Sequence, residues 1–250
     1  MDTRNLIFGV VCMCIYLLGT FACQPATKKM EMSESDEAVV LGILEAKGCE
    51  NARIRFRKVN NRIMLLSITE AVIPKFPTQL KELDSLISLY LNGNSIQDVA
   101  GIDSLTTLYS LGLSSNQIKT IPPLSHLTSL KSLNLNGNRL KGNLDCKDLP
   151  ASLDLLYIGA NQVSSIQNLS RLQKLEFLSL AQNRLSEFPD GICELSRIER
   201  LDARRNEFKD ERIDISCLSC LLFLEIDSVY EDRIIFSDPT SVNSGEFYMF

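Results

Sequence analysis

Residues 130–140 read Leu130-Lys131-Ser132-Leu133-Asn134-Leu135-Asn136-Gly137-Asn138-Arg139-Leu140, and the same frame recurs along the chain. An aliphatic residue is followed by two spacers, an aliphatic-x-aliphatic pair, two more spacers, an asparagine, one spacer and a last apolar residue. Upstream the frame reads Leu86, Leu89, Leu91, Asn94, Ile96 and then Leu108, Leu111, Leu113, Asn116, Ile118. Downstream it reads Leu153, Leu156, Ile158, Asn161, Val163, then Leu175, Leu178, Leu180, Asn183, Leu185, then Ile198, Leu201, Ala203, Asn206, Phe208. Counted from the first aliphatic position, copies begin at Ile63, Leu86, Leu108, Leu130, Leu153, Leu175, Ile198 and Leu221, always 22 or 23 residues apart. Self-similarity at such a period marks a solenoid of stacked units.

The frame has a direct physical reading. Leu-x-Leu is a period-two alternation, so both leucines of a short strand point to one side. The residues that follow must turn the chain, and an asparagine there can bond backbone groups that the bend leaves unpaired. A buried polar group without a partner costs about 1–3 kcal/mol. Asn94, Asn116, Asn138, Asn161, Asn183 and Asn206 are therefore expected to form a buried ladder. The remaining 11 or 12 residues return the chain with apolar contacts about every third residue, as in Ile118, Ile121, Leu124, Leu127 and in Val163, Ile166, Leu169, Leu172. That length suits extended segments or 3₁₀ turns. One coil cannot bury its own apolar face, so neighbours must stack.

The frame LxxLxLxxNxL resembles the leucine-rich repeat family, over about residues 63–226. The resemblance implies an α/β solenoid: a leucine-rich repeat horseshoe with a parallel concave β-sheet, about eight repeats, an N-terminal helix/strand cap and a C-terminal cap. Residues 185–189, Leu185-Ser-Glu-Phe188-Pro189, match a common variant of its return segment. The first repeat has Ala71, and the last Val229, where asparagine would stand, as terminal units facing a cap allow.

Outside the repeats the chain divides into a signal peptide (1–22), a tether (23–35), an N-terminal cap (36–62) and a C-terminal cap (227–250). Residues 6–18 are apolar except Gly9, after a start with a single arginine. Such a run is short for a spanning helix, which needs about 20 residues, and reads as an export signal. An uncleaved anchor is the alternative. Thr20-Phe21-Ala22-Cys23 resembles the lipobox of bacterial lipoproteins, with Ala22 in place and Thr20 and Phe21 departing from it as in the looser spirochaete boxes. That resemblance implies lipidation of Cys23; ordinary cleavage with a free Cys23 is the alternative. Residues 36–47 read as a helix with Val39, Val40, Ile43 and Leu44 on one side, opened by Ser33 with Asp36 and closed by Gly48. Residues 54–59 and then Asn60-Asn61 read as a strand and turn, residues 233–236 as a last strand, and residues 237–245 as loose.

Composition narrows the function. The chain has 39 leucines in 250 residues, one histidine (His126) and no tryptophan. The net charge of −5 does not favour nucleic acid, whose readers usually carry a basic face. One histidine leaves no histidine pair for a metal and little acid–base machinery. No phosphate loop, nucleophile elbow or zinc-protease motif occurs. We read no enzyme, no cofactor and no metal. His126 reads as a solvent-facing residue of a return segment. Asn168-Leu-Ser170 is a glycosylation sequon, empty chemistry in a bacterial host. With Cys12 and Cys14 leaving with the signal, Cys49, Cys146, Cys193, Cys217 and Cys220 remain. Buried free thiols are the default reading, and a bridge between Cys193 and Cys217, at similar places in successive repeats, is the alternative. Cys217-x-x-Cys220 lacks the second pair a zinc site needs.

The family's ligands often bind the concave side, so the non-leucine strand positions are the ones to read. Three columns result: Leu65, Ser88, Ser110, Ser132, Leu155, Phe177, Arg200, Phe223; then Ser67, Tyr90, Gly112, Asn134, Tyr157, Ser179, Asp202, Glu225; then Thr69, Asn92, Ser114, Asn136, Gly159, Ala181, Arg204, Asp227. The first half is small and polar. The second half gathers aromatics and arginines, the residue types that dominate binding hot spots. Tyr157, Phe177, Arg200, Arg204 and Phe223 are the expected protein-binding residues, with Arg204 and Asp227 expected to pair across strands. The expectation is a protein-binding module exported to the bacterial envelope, with a protein ligand on the concave sheet and a membrane anchor through lipid. The alternatives are an envelope scaffold without a specific ligand and a secreted regulator without lipid.

Overall fold

The structure, a computed structural model, describes residues 34–45, 49, 51–235 and 247–249. The signal, Cys23, most of the tether, Ser33, Gly48 and residues 237–245 lie outside the described residues. The helix α1 spans Glu34–Leu44, beginning inside the expected tether. A hairpin of β1 (Arg53–Val59) and β2 (Arg62–Thr69) follows. Its two-residue turn is Asn60-Asn61, both at positive φ, a conformation asparagine tolerates better than most residues.

The repeats then supply β3 (Ser88–Tyr90), β4 (Ser110–Gly112), β5 (Ser132–Asn134), β6 (Lys141–Asp145), β7 (Leu155–Tyr157), β8 (Gln162–Gln167), β9 (Phe177–Ser179), β10 (Arg200–Asp202), β11 (Ile213–Asp214) and β12 (Phe223–Ile226). β13 is Ile234–Ile235 and β14 is Phe247–Met249. One ten-stranded sheet runs β1-β2-β3-β4-β5-β7-β9-β10-β12-β14. Only the β1–β2 pair is antiparallel. From β2 to β12 each repeat contributes one strand, in a single register that aligns Leu66, Leu89, Leu111, Leu133, Leu156, Leu178, Leu201 and Leu224. All eight of those residues are buried. Fold and register are those of a leucine-rich repeat solenoid.

Several return segments close their coil with a 3₁₀ turn, such as Ile102–Ser104, Leu169–Arg171 and Ile192–Glu194. In two places short paired strands also run outside the main sheet: β6 with β8, each leading into a 3₁₀ turn, and β11 with β13. The repeat frame does not distinguish these, because both conformations bring every third residue or so to the core.

The asparagines are buried, and their bonding has a direction. Asn138 Oδ1 accepts from Ile118 N at 3.0 Å, while its Nδ2 donates to Leu113 O and Leu135 O, both at 2.9 Å. Ile118 and Leu113 belong to the preceding coil and Leu135 to its own. The other five repeat this arrangement, each serving the coil before it. That polarity explains the two ends. Ala71 needs no amide of its own, since Asn94 Oδ1 accepts its N–H at 2.8 Å. At the far end Val229 stands at the next ladder position, and the Tyr230 hydroxyl donates to Asn206 O at 3.0 Å.

The N-terminal cap covers the first coil with Val39, Val40 and Ile43, all buried. Asp36, 1% exposed, accepts the Ile63 N–H at 2.8 Å and lies 3.4 Å from Arg62 Nε. The carboxylate thus takes the place of a preceding strand's carbonyl. Cys193 and Cys217 form a disulfide with Cα atoms 5.3 Å apart, tying two neighbouring return segments on the convex side. Cys49 and Cys146 are buried thiols outside this bridge, and Cys220 is exposed. Burial pushes the Cys146 thiol up to about 12, so it stays protonated.

Candidate functional site: the concave sheet

Directly opposed residues on paired strands share a face. The register therefore sets the three columns side by side from β2 to β12. In the first half their side chains are engaged with one another. Asn92 Oδ1 accepts from both N and Oγ of Ser114. Tyr90 shares a hydrogen bond with Ser110 through its hydroxyl, and its ring lies across Gly112, where a Cβ would meet Tyr90 Cδ1 at 2.7 Å. Any side chain at 112 would displace that ring, which holds this half of the face shallow.

In the second half the aromatic groups come together. The rings of Tyr157 and Phe177, on β7 and β9, lie 4.8 Å apart between centroids and are tilted by 37°. Arg200 on β10 places its guanidinium 4.3 Å from the centroid of Phe223 on β12. Phe177, Arg200 and Phe223 are adjacent in register on three successive strands. Arg200 is exposed and the three aromatic residues are half-buried. A guanidinium over a ring is worth about 0.5–1 kcal/mol where exposed, so these contacts hold the side chains in place without burying them.

Arg204 lies in the same region with different partners from those expected. Its guanidinium bonds the two Asp202 oxygens at 3.0 and 3.1 Å and also pairs with Glu225. Asp227 instead accepts the Arg205 N–H through a carboxylate oxygen at 2.6 Å. The reason is geometric: Asp202, the last residue of β10, is two residues before Arg204 and can be met bidentately. The bond to Asp202, with the carboxylates around it, raises the Arg204 pKa above its usual value.

At Arg204 lies a depression of about 310 Å³, lined by Asn136, Gly159, Ala181, Gln182, Asp202 and Arg204 among others. It exists because Gly159 and Ala181 are small. A Cβ on Gly159 would meet Ala181 O at 3.1 Å, and its N–H donates to Asn136 Oδ1 at 2.6 Å. The column positions of these two residues were legible in the sequence; the hollow they leave beside Arg204 was not.

The hairpin carries the concave face one strand beyond the repeats. Arg53, Arg55 and Arg57 oppose Thr69, Ser67 and Leu65. Columns read from the repeats alone miss these residues, although the alternation Arg53-x-Arg55-x-Arg57 before Asn60-Asn61 was the signal that finds them. His126 is exposed, and its Nε2 hydrogen-bonds Asp103 O at 2.8 Å across neighbouring return segments. Asn168 is exposed on the convex side and donates to Asp145 Oδ1 at 2.7 Å. Among the described residues no group of three or more His, Cys, Asp or Glu could hold a metal ion, and no helix is long and apolar enough to cross a membrane.

A family model described as Leucine Rich repeats (2 copies) matches residues 110–150, and one described as Leucine Rich Repeat matches residues 174–195. No curated protein matches the sequence. Among solved structures, an internalin (inlF) from Listeria monocytogenes is similar at a TM-score of 0.59 and 28% identity, over 73% of this chain and 52% of that one. An internalin C2 of the same species is similar at 0.58 and 26%, over 75% of this chain and 79% of that one. A TDR receptor is similar in fold at 0.58 and 22%, over 75% and 34%. The chain thus spans about half the length of the first internalin.

Proposed function

The chain folds as a leucine-rich repeat solenoid, and on that premise we propose that it is a non-enzymatic module that binds a protein ligand on the C-terminal half of its concave sheet. The observation that carries this reading is the contiguous run Tyr157, Phe177, Arg200 and Phe223, two paired contacts standing side by side on four successive strands of the sheet. Pre-ordered aromatic and arginine side chains lose little rotamer freedom on binding. The depression beside Arg204 would take a protruding ligand side chain. Arg204, engaged by Asp202 and Glu225, frames the charged margin.

Phe177→Ala and Arg200→Ala are each expected to weaken binding by about 1–3 kcal/mol. Folding does not depend on either side chain's contacts with the leucine core, so thermal stability should stay within about 1 kcal/mol of the parent. Lys174→Ala, at an exposed position in the return segment, should change neither. Titration of a captured partner against the three variants, with thermal unfolding alongside, checks this. Equal losses from Lys174→Ala would show that the concave patch is not the contact.

One observation favours a second reading, a scaffold without a specific ligand: the Arg204, Asp202 and Glu225 charges satisfy one another within the sheet, as a solvated face would. Such a scaffold would be indifferent to Phe177→Ala.

We further place the protein at the bacterial envelope, exported by residues 1–22 and anchored through a lipidated Cys23; a secreted form without lipid is the alternative. The apolar run 6–18 and the Ala22-Cys23 boundary support this. Two or more acyl chains give stable membrane attachment where one does not. Cys23→Ser is expected to move the protein from the membrane to the soluble fraction, or to leave it unprocessed. Fractionation with and without detergent tests this, and an unchanged distribution removes the lipid.

A further inference from the structure

We infer that the outer strand β1 is a second docking surface, one that receives an acidic segment of a protein partner in extended conformation. β1 ends the ten-stranded sheet, and no described strand pairs with its outer edge. Arg53, Arg55 and Arg57 alternate along it on the concave side, opposite Thr69, Ser67 and Leu65, while Ile54 between them is buried. Arg53 is paired with Glu70 at 3.0 Å, and Arg62 nearby with Asp36 and Asp84. Arg55 and Arg57 are exposed, and among the described residues neither has an ion-pair partner.

Charge complementarity sets the occupant. In a chain of net charge −5, Arg55 and Arg57 set two guanidinium groups two residues apart on one face of one strand. Alternate residues of a strand stand about 7 Å apart on one face. An extended peptide with carboxylates at alternate positions has the same repeat, so each carboxylate can meet one arginine in a bidentate pair. Meanwhile its backbone can bond the free edge of β1, the strand-addition mode of peptide recognition. A tetrahedral phosphate or a single carboxylate would use only one of the two arginines. Edge strands are also commonly charged to prevent sheet-to-sheet aggregation, and the test separates that role from docking.

The inference rests on the concave sheet being the binding face, but on residues separate from the aromatic patch. From β1 to β10 is seven strand steps, about 34 Å. Failure at one site therefore does not imply failure at the other.

The probe is a fluorescein-labelled peptide, Glu-Thr-Glu-Thr-Glu-Thr-Glu, titrated with the purified chain at rising salt. A glutamine counterpart and phosphatidylglycerol–phosphatidylcholine vesicles run beside it. The glutamate peptide should bind with an affinity that falls as salt rises, and the glutamine peptide should not bind. Arg55→Gln with Arg57→Gln should weaken binding at least about tenfold with unchanged thermal unfolding. Arg55→Lys with Arg57→Lys should retain a measurable part of it, and Phe177→Ala should leave it within about twofold. Equal binding of the glutamate peptide by the parent and the glutamine variant overturns the inference. So does aggregation of the variant with no loss of peptide binding, which makes the arginines guards of the edge. Arginine-dependent binding to the vesicles with none to the peptide also overturns it, in favour of a membrane surface.

Discussion

Asn138→Ala is expected to lower the stability of the solenoid by about 3 kcal/mol or more. The side chain is 8% exposed and serves three backbone groups in two coils: the Ile118 N–H and the Leu113 and Leu135 carbonyls. Alanine leaves the Ile118 N–H without a partner, at about 1–3 kcal/mol, and takes one of two donors from each carbonyl, at about 1 kcal/mol apiece, since Leu113 O keeps Asn116 Nδ2 and Leu135 O keeps Asn161 Nδ2. For a domain of this size that is a fall in melting temperature of about 10 °C. Asn138→Asp keeps the acceptor for Ile118 but turns a carboxylate oxygen toward two carbonyls, so it should do no better. Asn143→Ala is the control. That amide is exposed and bonds only the side chains of Gln167 and Ser165, so a change within about 0.5 kcal/mol is expected. Thermal and denaturant unfolding of the three variants decide the matter. A drop no larger than the control's would mean that the ladder is replaceable by solvent.

Removing the Cys193–Cys217 bridge is expected to cost about 3 kcal/mol. The bridge closes a loop between residues 24 apart, and a loop of that length removes roughly that much chain entropy from the unfolded state. The double variant Cys193→Ser, Cys217→Ser should melt lower than the parent by several degrees and should no longer respond to reductant. The parent should fall to the same point when reduced. Cys220 should react with a thiol reagent in the native state, and the buried Cys49 and Cys146 only on unfolding. A parent unaffected by reductant would show the two cysteines to be unbridged in solution. A bridge of this kind persists in oxidising compartments, which accords with the export read from residues 1–22.

Much of the fold follows from the residues alone, because the repeat is a local rule applied eight times. Leu-x-Leu sets a strand, the asparagine three residues beyond sets the turn, and a period of 22 or 23 leaves one strand per coil with no freedom of register. The same rule assigns Tyr157, Phe177, Arg200 and Phe223 to one face, since the alternation of a strand admits no other placement once the leucines point inward.

What only the tertiary structure decides is the choice among neighbours. Strands about 5 Å apart put several partners within reach of one long side chain. Arg204 therefore takes Asp202 and Glu225 while Asp227 turns to a backbone N–H, a selection made by distance and bidentate geometry rather than by any pattern in the chain. The direction of the asparagine ladder, each amide serving the coil before it, likewise emerges only on stacking, and with it the reasons that Ala71 suffices at one end and Tyr230 is needed at the other. The sheet also extends beyond its repeats. β1 adds an arginine edge on one side, and β14 adds a strand without the leucine frame on the other, each joined by pairing to its neighbour rather than by the period. A repeat specifies its own coil and the shape of its neighbours; the contacts at the ends and across the faces depend on which side chains that stacking brings within a few ångströms.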